Sequence, residues 1–350
     1  MSDSALRALA IAHSNIALAK YWGKADIEQN LPAVPSLSLT LDNLRTATRV
    51  SFDPALKADQ AWLDGAPAQG RPLERVTTLL GRVRALAKQD LFARVESVND
   101  FPTAAGLASS ASGFAALALA ATRAIGLRLS PSQVSSLARA SSASAARSLF
   151  GGYAMLDRGA HEAEAVASGR HLPMVMLVAV TASGPKAVSS TQGMTHTAST
   201  SPYYPAWVEH APRVFDEVKR AVLAGDFDAL GRAAEHSALM MHASMIAADP
   251  AIMYFAPASV AVIARVRELR NQGKPAYITM DAGPHVKVLT RPELAQHVEA
   301  ALLAVPGVQR IIACEAGPDA YLMDPEMDVQ TALAQTGEHE TARHTPESRK

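Results

Sequence analysis

Asn99-Asp-Phe-Pro-Thr-Ala-Ala-Gly-Leu-Ala-Ser-Ser-Ala-Ser112 is the stretch on which the fold turns. A strand pattern over residues 93–98 leads into it, and an Ala/Leu-rich helix pattern over 109–125 leads out, broken only by Gly113. Between them Gly106 lets backbone approach a ligand closely. From Leu107 onward the helix start offers free N–H groups, and Ser109, Ser110 and Ser112 add hydroxyls. Unpaired donors and the helix dipole together favour a phosphate there. The same letters also suit a Ser-capped helix after an ordinary loop.

Outward from this stretch, helix and strand patterns are interleaved. Residues 132–140 read as a second helix with a serine cap after Pro131, and 174–180 as a strand. Helices are expected over 207–224, 227–241, 259–272 and 292–303. Ala276–Met280 and Arg310–Cys314 read as short buried strands. Few βαβ repeats occur, which favours α+β over a doubly wound sheet. The 350 residues suggest about two lobes. A change near 181–190 divides residues 1–185 from 186–336, and the polar stretch 337–350 reads as a frayed tail.

Composition narrows the function. Apolar residues are 49% and charged residues 19%, so a large core is available. Lys+Arg and Asp+Glu are both 33, which argues against a nucleic-acid binder but leaves room for a local basic pocket. Cys314 is the single cysteine, so an internal disulfide and a cysteine zinc site are excluded. The longest apolar runs fall far short of the ~20 residues that span a bilayer, and residues 1–12 do not pattern as a secretory signal. The chain is expected to be soluble, cytoplasmic and not membrane-bound. Walker A, Rossmann, nucleophile-elbow and HExxH patterns are absent. His236 and His242 are six apart on one helix, poor spacing for a shared metal.

Four further segments carry chemistry. Lys20-Tyr-Trp-Gly-Lys24 puts two cations in an apolar stretch, as for an anionic ligand or as snorkelling surface lysines. Ser141-Ser-Ala-Ser-Ala-Ala-Arg147 combines small residues, hydroxyls and an arginine fork, suited to a carboxylate or phosphate or to a plain helix contact. Asp281-Ala-Gly-Pro284 ends a buried strand on a carboxylate, as an active-site acid or a turn cap. Pro185–Met194 reads as a polar loop with a lysine and hydroxyls.

Together, from about residue 8 to 322, these motifs resemble the diphosphomevalonate decarboxylases of the GHMP kinase superfamily. The resemblance implies a two-lobed α+β fold with its active site in the cleft between lobes. It implies ATP-dependent phosphorylation of the 3-hydroxyl of mevalonate 5-diphosphate, then loss of phosphate and CO2, and a homodimer. Asp281 matches the carboxylate aimed at the 3-hydroxyl, Lys20 the lysine near the transferring phosphoryl group, and Arg147 the arginine on the substrate carboxylate. The substrate pocket is implied around Tyr21, Lys24, Arg75, Ser142, Ser144, Ser190 and Thr191, with Trp22, Gly23, Ala143, Ala145 and Ala146 in the same motifs. The nucleotide site is implied at Ser97, Asn99, Pro102, Ala105, Gly106, Leu107, Ser109, Ser110 and Ser112. Lys186 matches a lysine that reaches the ATP phosphates. Magnesium is expected to enter with ATP, with Ser110 as its protein ligand. The chain departs from the family pattern at Val34-Pro35-Ser36, Ala143, Ala146, His285 and Ala25. Rival readings are a mevalonate 5-monophosphate decarboxylase, a GHMP kinase that stops after phosphorylation, and a non-catalytic ligand sensor.

Overall fold

A computed structural model describes residues 6–101, 109–181 and 188–342, with side chains described as far as 335. Pro102, Ala105, Gly106, Leu107, Lys186 and most of the expected tail lie outside the residues so described.

Two long strands form the frame, Arg7–Ala19 and Ser36–Asp53. They pair antiparallel from Arg7↔Ser51 to Ala19↔Leu37, with register shifts between His13 and Asn15 and between Ala17 and Ala19. Such shifts bend a strand and re-aim the side chains beyond them. Lys20 follows directly.

Among the described residues the first sheet has eight strands. Its main path runs Tyr321–Met323, Arg7–Ala19, Ser36–Asp53, Phe92–Asn99, Gln60–Leu63 and Ala66–Pro67, and Tyr153–Leu156 and Glu164–Ala167 extend it from Ser36–Asp53. The helix Ser109–Ala124 packs on the two long strands. Its alanines 111, 115, 116, 118, 120 and 121 are buried, so it lies close to the sheet beneath Arg71–Ala87 and Pro131–Ser141.

The second sheet is antiparallel, ordered Ala276–Met280, Val286–Thr290, Val175–Val180 and Arg310–Cys314. Pro257–Asn271 and Ala295–Leu303 cover one face. Tyr204–Ala224 and Phe227–Ile246 lie between its other face and the first sheet, where Phe215 and Val218 meet Ile16, Leu18, Met176 and Val178 in one core. This shared core fixes Lys20, at the end of one sheet, against Asp281, at the end of the other.

Several sequence expectations change. The cap of Pro131–Ser141 is Ser130 rather than Ser132: Gln133 N donates to Ser130 Oγ at 3.3 Å, and Ser130 N donates to Gln133 Oε1 at 2.9 Å. Pro131 then takes the first helical position, where its missing N–H costs nothing. Arg310–Cys314 is an edge strand with Arg310 and Ala313 exposed, not a buried one, because among the described residues only Val175–Val180 pairs with it. The expected helix over 292–303 begins as a short 3-10 turn, Pro292–Leu294. The end of the expected polar loop is helical: Ser190–Thr200 is capped by Ser189, whose hydroxyl accepts from Gln192 N. Val175–Val180 pairs into the second sheet although it precedes residue 185, and Tyr321–Met323 returns to the first.

Candidate active site

A cleft of about 590 Å³ gathers the chemistry-bearing motifs. Lys20, Tyr21, Trp22, Lys24, Arg75, Ser142, Ala143, Ser144, Arg147, Ser190, Thr191 and Asp281 line it together with Ser97, Asn99, Ser109 and Ser110.

At its floor, Lys20 Nζ lies 2.6 Å from Asp281 Oδ1. Lys20 is 2% exposed, and its backbone N–H donates to Ser237 Oγ at 2.9 Å. Lys287 Nζ lies 3.1 Å from Asp281 Oδ2. Burial alone would push the Asp281 carboxyl up, but Lys20 and Lys287 outweigh it and hold the group well below the usual carboxylate range. Burial pushes Lys20 down to about 8 against the pull of Asp281, so it remains cationic at neutral pH.

Arg147 sits in the 3-10 turn Ala143–Leu149 and is 1% exposed. Its Nε donates to Ser38 Oγ at 2.9 Å and its Nη1 to Ser36 Oγ at 2.6 Å. Ser36 and Ser38 are two apart on one strand, so their hydroxyls project from the same face and match the fork. Among the described residues Arg147 has no carboxylate ion pair, and burial lowers it to about 10. Three cations, Lys20, Lys287 and Arg147, thus face one acid, and the surplus suits an anionic ligand.

A second cationic group stands on another wall of the cleft. Arg71 and Arg75 are one turn apart on Arg71–Ala87 and line the cleft with Lys24. Arg75 Nη2 donates to Ser141 O at 3.0 Å, and its guanidinium lies 4.3 Å over the Phe114 ring. Burial, then the neighbouring arginine charges, lower both Lys24 and Arg75. Crowded like charges of this kind favour an incoming polyanion. Ser190 and Thr191 open the helix Ser190–Thr200, so they add first-turn donors.

On the nucleotide side, Asn99 is tied into the protein: Thr46 Oγ1 donates to its Oδ1 at 2.6 Å, and its N donates to Asp64 Oδ1 at 2.9 Å. Ser109 and Ser110 stand at the start of Ser109–Ala124. Ser112 does not reach the cleft; its Oγ is buried 3.1 Å from Ser14 Oγ and accepts from Thr46 Oγ1 at 2.7 Å. Ala145 and Ala146 also turn into apolar packing rather than the cleft.

Gly23 lines no part of the cleft but shapes its rim. Its φ is +110°, and an added Cβ would fall 2.1 Å from Tyr204 Oη. Gly23→Ala is therefore expected to cost about 1–3 kcal/mol in strain and to displace Lys24. Thermal melting and substrate KM check this: Tm falls and KM rises, with ATP affinity unchanged.

Sequence reasoning missed Lys287, Arg71 and the Ser36–Ser38 cradle. Arg71 had a legible signal, four residues before Arg75 behind Pro72. Lys287 is a lone charge inside the apolar run of Val286–Thr290, another usable sign.

Among the described residues no group of three or more His, Cys, Asp or Glu side chains could hold a metal ion, and Asp281 is already taken by two lysines. This donor set fits magnesium carried in on ATP phosphates rather than a resident metal.

A carboxylate aimed by cations across a cleft from a hydroxyl-rich helix start is what phosphoryl transfer to an alcohol requires. The α+β fold that carries it is of the GHMP-kinase-like class. Residues 12–167 match the family model described as diphosphomevalonate decarboxylase-like N-terminal domain, and 176–343 match the mevalonate 5-diphosphate decarboxylase C-terminal domain. The chain belongs to the diphosphomevalonate decarboxylase family. A diphosphomevalonate decarboxylase of Ganoderma lucidum is 36% identical over 318 residues, covering 83% of this chain and 80% of its own. A phosphomevalonate decarboxylase of Haloferax volcanii is 33% identical over 322 residues, covering 92% and 99%. A solved structure described as MDDEF in complex with MVAPP, AMPPCP and magnesium superposes with a TM-score of 0.86 at 41% identity, covering 92% of this chain and 100% of that one.

Proposed function

We propose that this protein converts mevalonate 5-diphosphate and ATP to isopentenyl diphosphate, ADP, phosphate and CO2. The observation that carries this reading is Asp281 held between Lys20 and Lys287 in the cleft that Arg147 shares.

The chain's residues divide the work. Asp281 orients the tertiary 3-hydroxyl and accepts its proton as the oxygen attacks the γ-phosphorus of ATP. Lys20 neutralises charge on the moving phosphoryl group. Ser110 would be the residue that holds a magnesium ion entering with ATP, and the ion would supply charge neutralisation there. The new 3-phosphate then leaves with its bonding electrons, and positive charge builds at C3. Arg147 holds the substrate carboxylate so that the C–C bond pair can flow toward C3, forming the double bond as CO2 departs. Lys24, Arg71, Arg75, Ser142, Ser144, Ser190 and Thr191 take the diphosphate. The nucleotide lies against the wall formed by Ser97, Asn99, Ser109 and Ser110. The protein works in the cytoplasm as a homodimer in this reading; among the described residues no helix is long and apolar enough to cross a membrane. Light scattering at working concentration tests the dimer.

An ATP-dependent CO2-release assay comparing mono- and diphosphate tests the substrate. Charge-assisted bonds are typically worth about 1.5–3 kcal/mol each, so loss of the terminal phosphate should cost at least about tenfold in kcat/KM. Equal or better turnover of the monophosphate would favour the second reading, a mevalonate 5-monophosphate decarboxylase, which the similarity to the Haloferax volcanii protein keeps in view.

A further inference from the structure

The hairpin that ends in Asp281 also supplies a second cation to it. Ala276–Met280 and Val286–Thr290 pair antiparallel with Thr279 opposite Lys287. Directly paired residues share a face, and Asp281 lies two beyond Thr279, so Lys287 and Asp281 project to the same side. That side meets the first sheet: Thr279 Oγ1 approaches Ala17 O at 3.4 Å. Lys287 is 0% exposed, with its Nζ 3.1 Å from Asp281 Oδ2 and 3.4 Å from the His285 carbonyl. Lys20 takes the other oxygen, Oδ1.

The two lysines are not equivalent. Lys20 lines the cleft, whereas Lys287 stands behind Asp281. Phosphoryl transfer needs a cation on the moving group, and of these two lysines Lys20 is the one that lines the cleft. If Lys20 leaves Oδ1, a carboxylate with no other partner would lose both its aim and much of its bias toward the charged form. We propose that Lys287 is a positioning residue: it stays on Asp281 Oδ2 throughout turnover and keeps the carboxylate anionic and aimed while Lys20 moves to the phosphoryl group.

Four charged or titratable groups face Asp281 among the described residues. Lys20 comes from the end of Arg7–Ala19, Lys287 from Val286–Thr290, Arg147 from Ala143–Leu149 and His242 from Phe227–Ile246. Burial, then Lys20, push His242 down to about 4, so it is neutral across the working range and does not substitute for either lysine. Arg147 is already engaged by Ser36 and Ser38. Lys287 is therefore the group whose removal leaves Asp281 dependent on Lys20.

The inference rests on the proposed role of Asp281 in phosphorylation, and the test separates the two. Lys287→Met removes the charge at similar length. Its kcat should fall about tenfold to a hundredfold with ATP KM unchanged, because Lys20 is then retained by Asp281. The acid limb of its kcat profile should move to higher pH by about one to two pH units, since the Asp281 carboxyl rises when one of its cations is lost. A merely structural lysine would lower Tm without moving that limb.

Asp281→Asn is assayed beside it. If Asp281→Asn is inactive while Lys287→Met keeps wild-type kcat and acid limb, the Lys287 inference falls alone. If Asp281→Asn keeps normal turnover, the reading of the site falls and takes the inference with it. Should Lys287→Met fail to fold, lysine side-chain ¹⁵N NMR of the wild-type protein decides. Adding substrate and a non-hydrolysable ATP analogue should shift the Lys20 Nζ signal, assigned by its loss in Lys20→Met, and leave that of Lys287 in place. Movement of Lys287 with Lys20 static would overturn the proposal.

Discussion

Asp281→Asn should abolish phosphate and CO2 release together, with kcat lower by at least about 10²–10⁴-fold. A tertiary hydroxyl is a weak nucleophile and needs both orientation and a proton acceptor. Asparagine keeps the shape and one acceptor oxygen but not the basic charge. A second loss adds to the first. Lys20 is buried and already lowered to about 8, and the attraction of Asp281 is what opposes a further fall. Without that carboxylate Lys20 spends more of its time neutral at pH 7, so the charge on the moving phosphoryl group is also less well neutralised. ATP binding should stay near wild type, because the nucleotide wall is formed by other residues. Single-turnover kinetics with labelled ATP, following phosphate and CO2 separately, checks this. Formation of the 3-phosphorylated intermediate at a near-normal rate, with CO2 release alone blocked, would place Asp281 in the second step and overturn the assignment.

The parts of this site that sequence made legible are those whose chemistry is local. Lys20 and Lys24 share one short motif, Arg147 follows its serines within a few residues, and Asp281 is fixed by the turn after it. What stayed hidden depends on pairing between distant segments. Ser36 and Ser38 become an arginine cradle only because the strand Ser36–Asp53 runs past the turn Ala143–Leu149. Lys287 reaches Asp281 only through hairpin register.

The frame itself carries the weakest local signal. Arg7–Ala19 is buried at 12 of its 13 positions, so both faces are covered and no alternation marks it as a strand. Its alanines and leucines favour helix locally; pairing on both sides with Ser36–Asp53 and Tyr321–Met323 overrides that preference. By contrast, Ser109–Ala124 was legible because an Ala/Leu-rich run of helical length, bounded by turn residues, needs no distant partner to be recognised.

Arg147→Lys is expected to lose decarboxylation by about 10²–10³-fold while ATP affinity changes by less than about threefold. The guanidinium does two tasks at once. Nε and Nη1 donate to Ser38 and Ser36, which fixes the plane of the fork, and the rest of the group is left for the substrate carboxylate. A lysine ammonium has neither the fork nor the span to satisfy both hydroxyls and still grip a carboxylate in one plane. Two buried serines would lose their donor, at about 1–3 kcal/mol each, so some fall in Tm should accompany the loss of activity. Stability alone would not account for the pattern. Ser36→Ala and Ser38→Ala remove the same hydrogen bonds yet keep the guanidinium, and each should retain more turnover than Arg147→Lys at a similar Tm. Arg147 lies in the turn Ala143–Leu149 and spends its Nε and Nη1 on Ser38 and Ser36, not on Ser97, Asn99, Ser109 or Ser110, so its role in substrate grip carries no demand on nucleotide binding. Equilibrium binding of ATP, measured beside CO2 release, separates the alternatives: if nucleotide affinity fell in step with turnover, the assignment of Arg147 to the substrate carboxylate would be wrong.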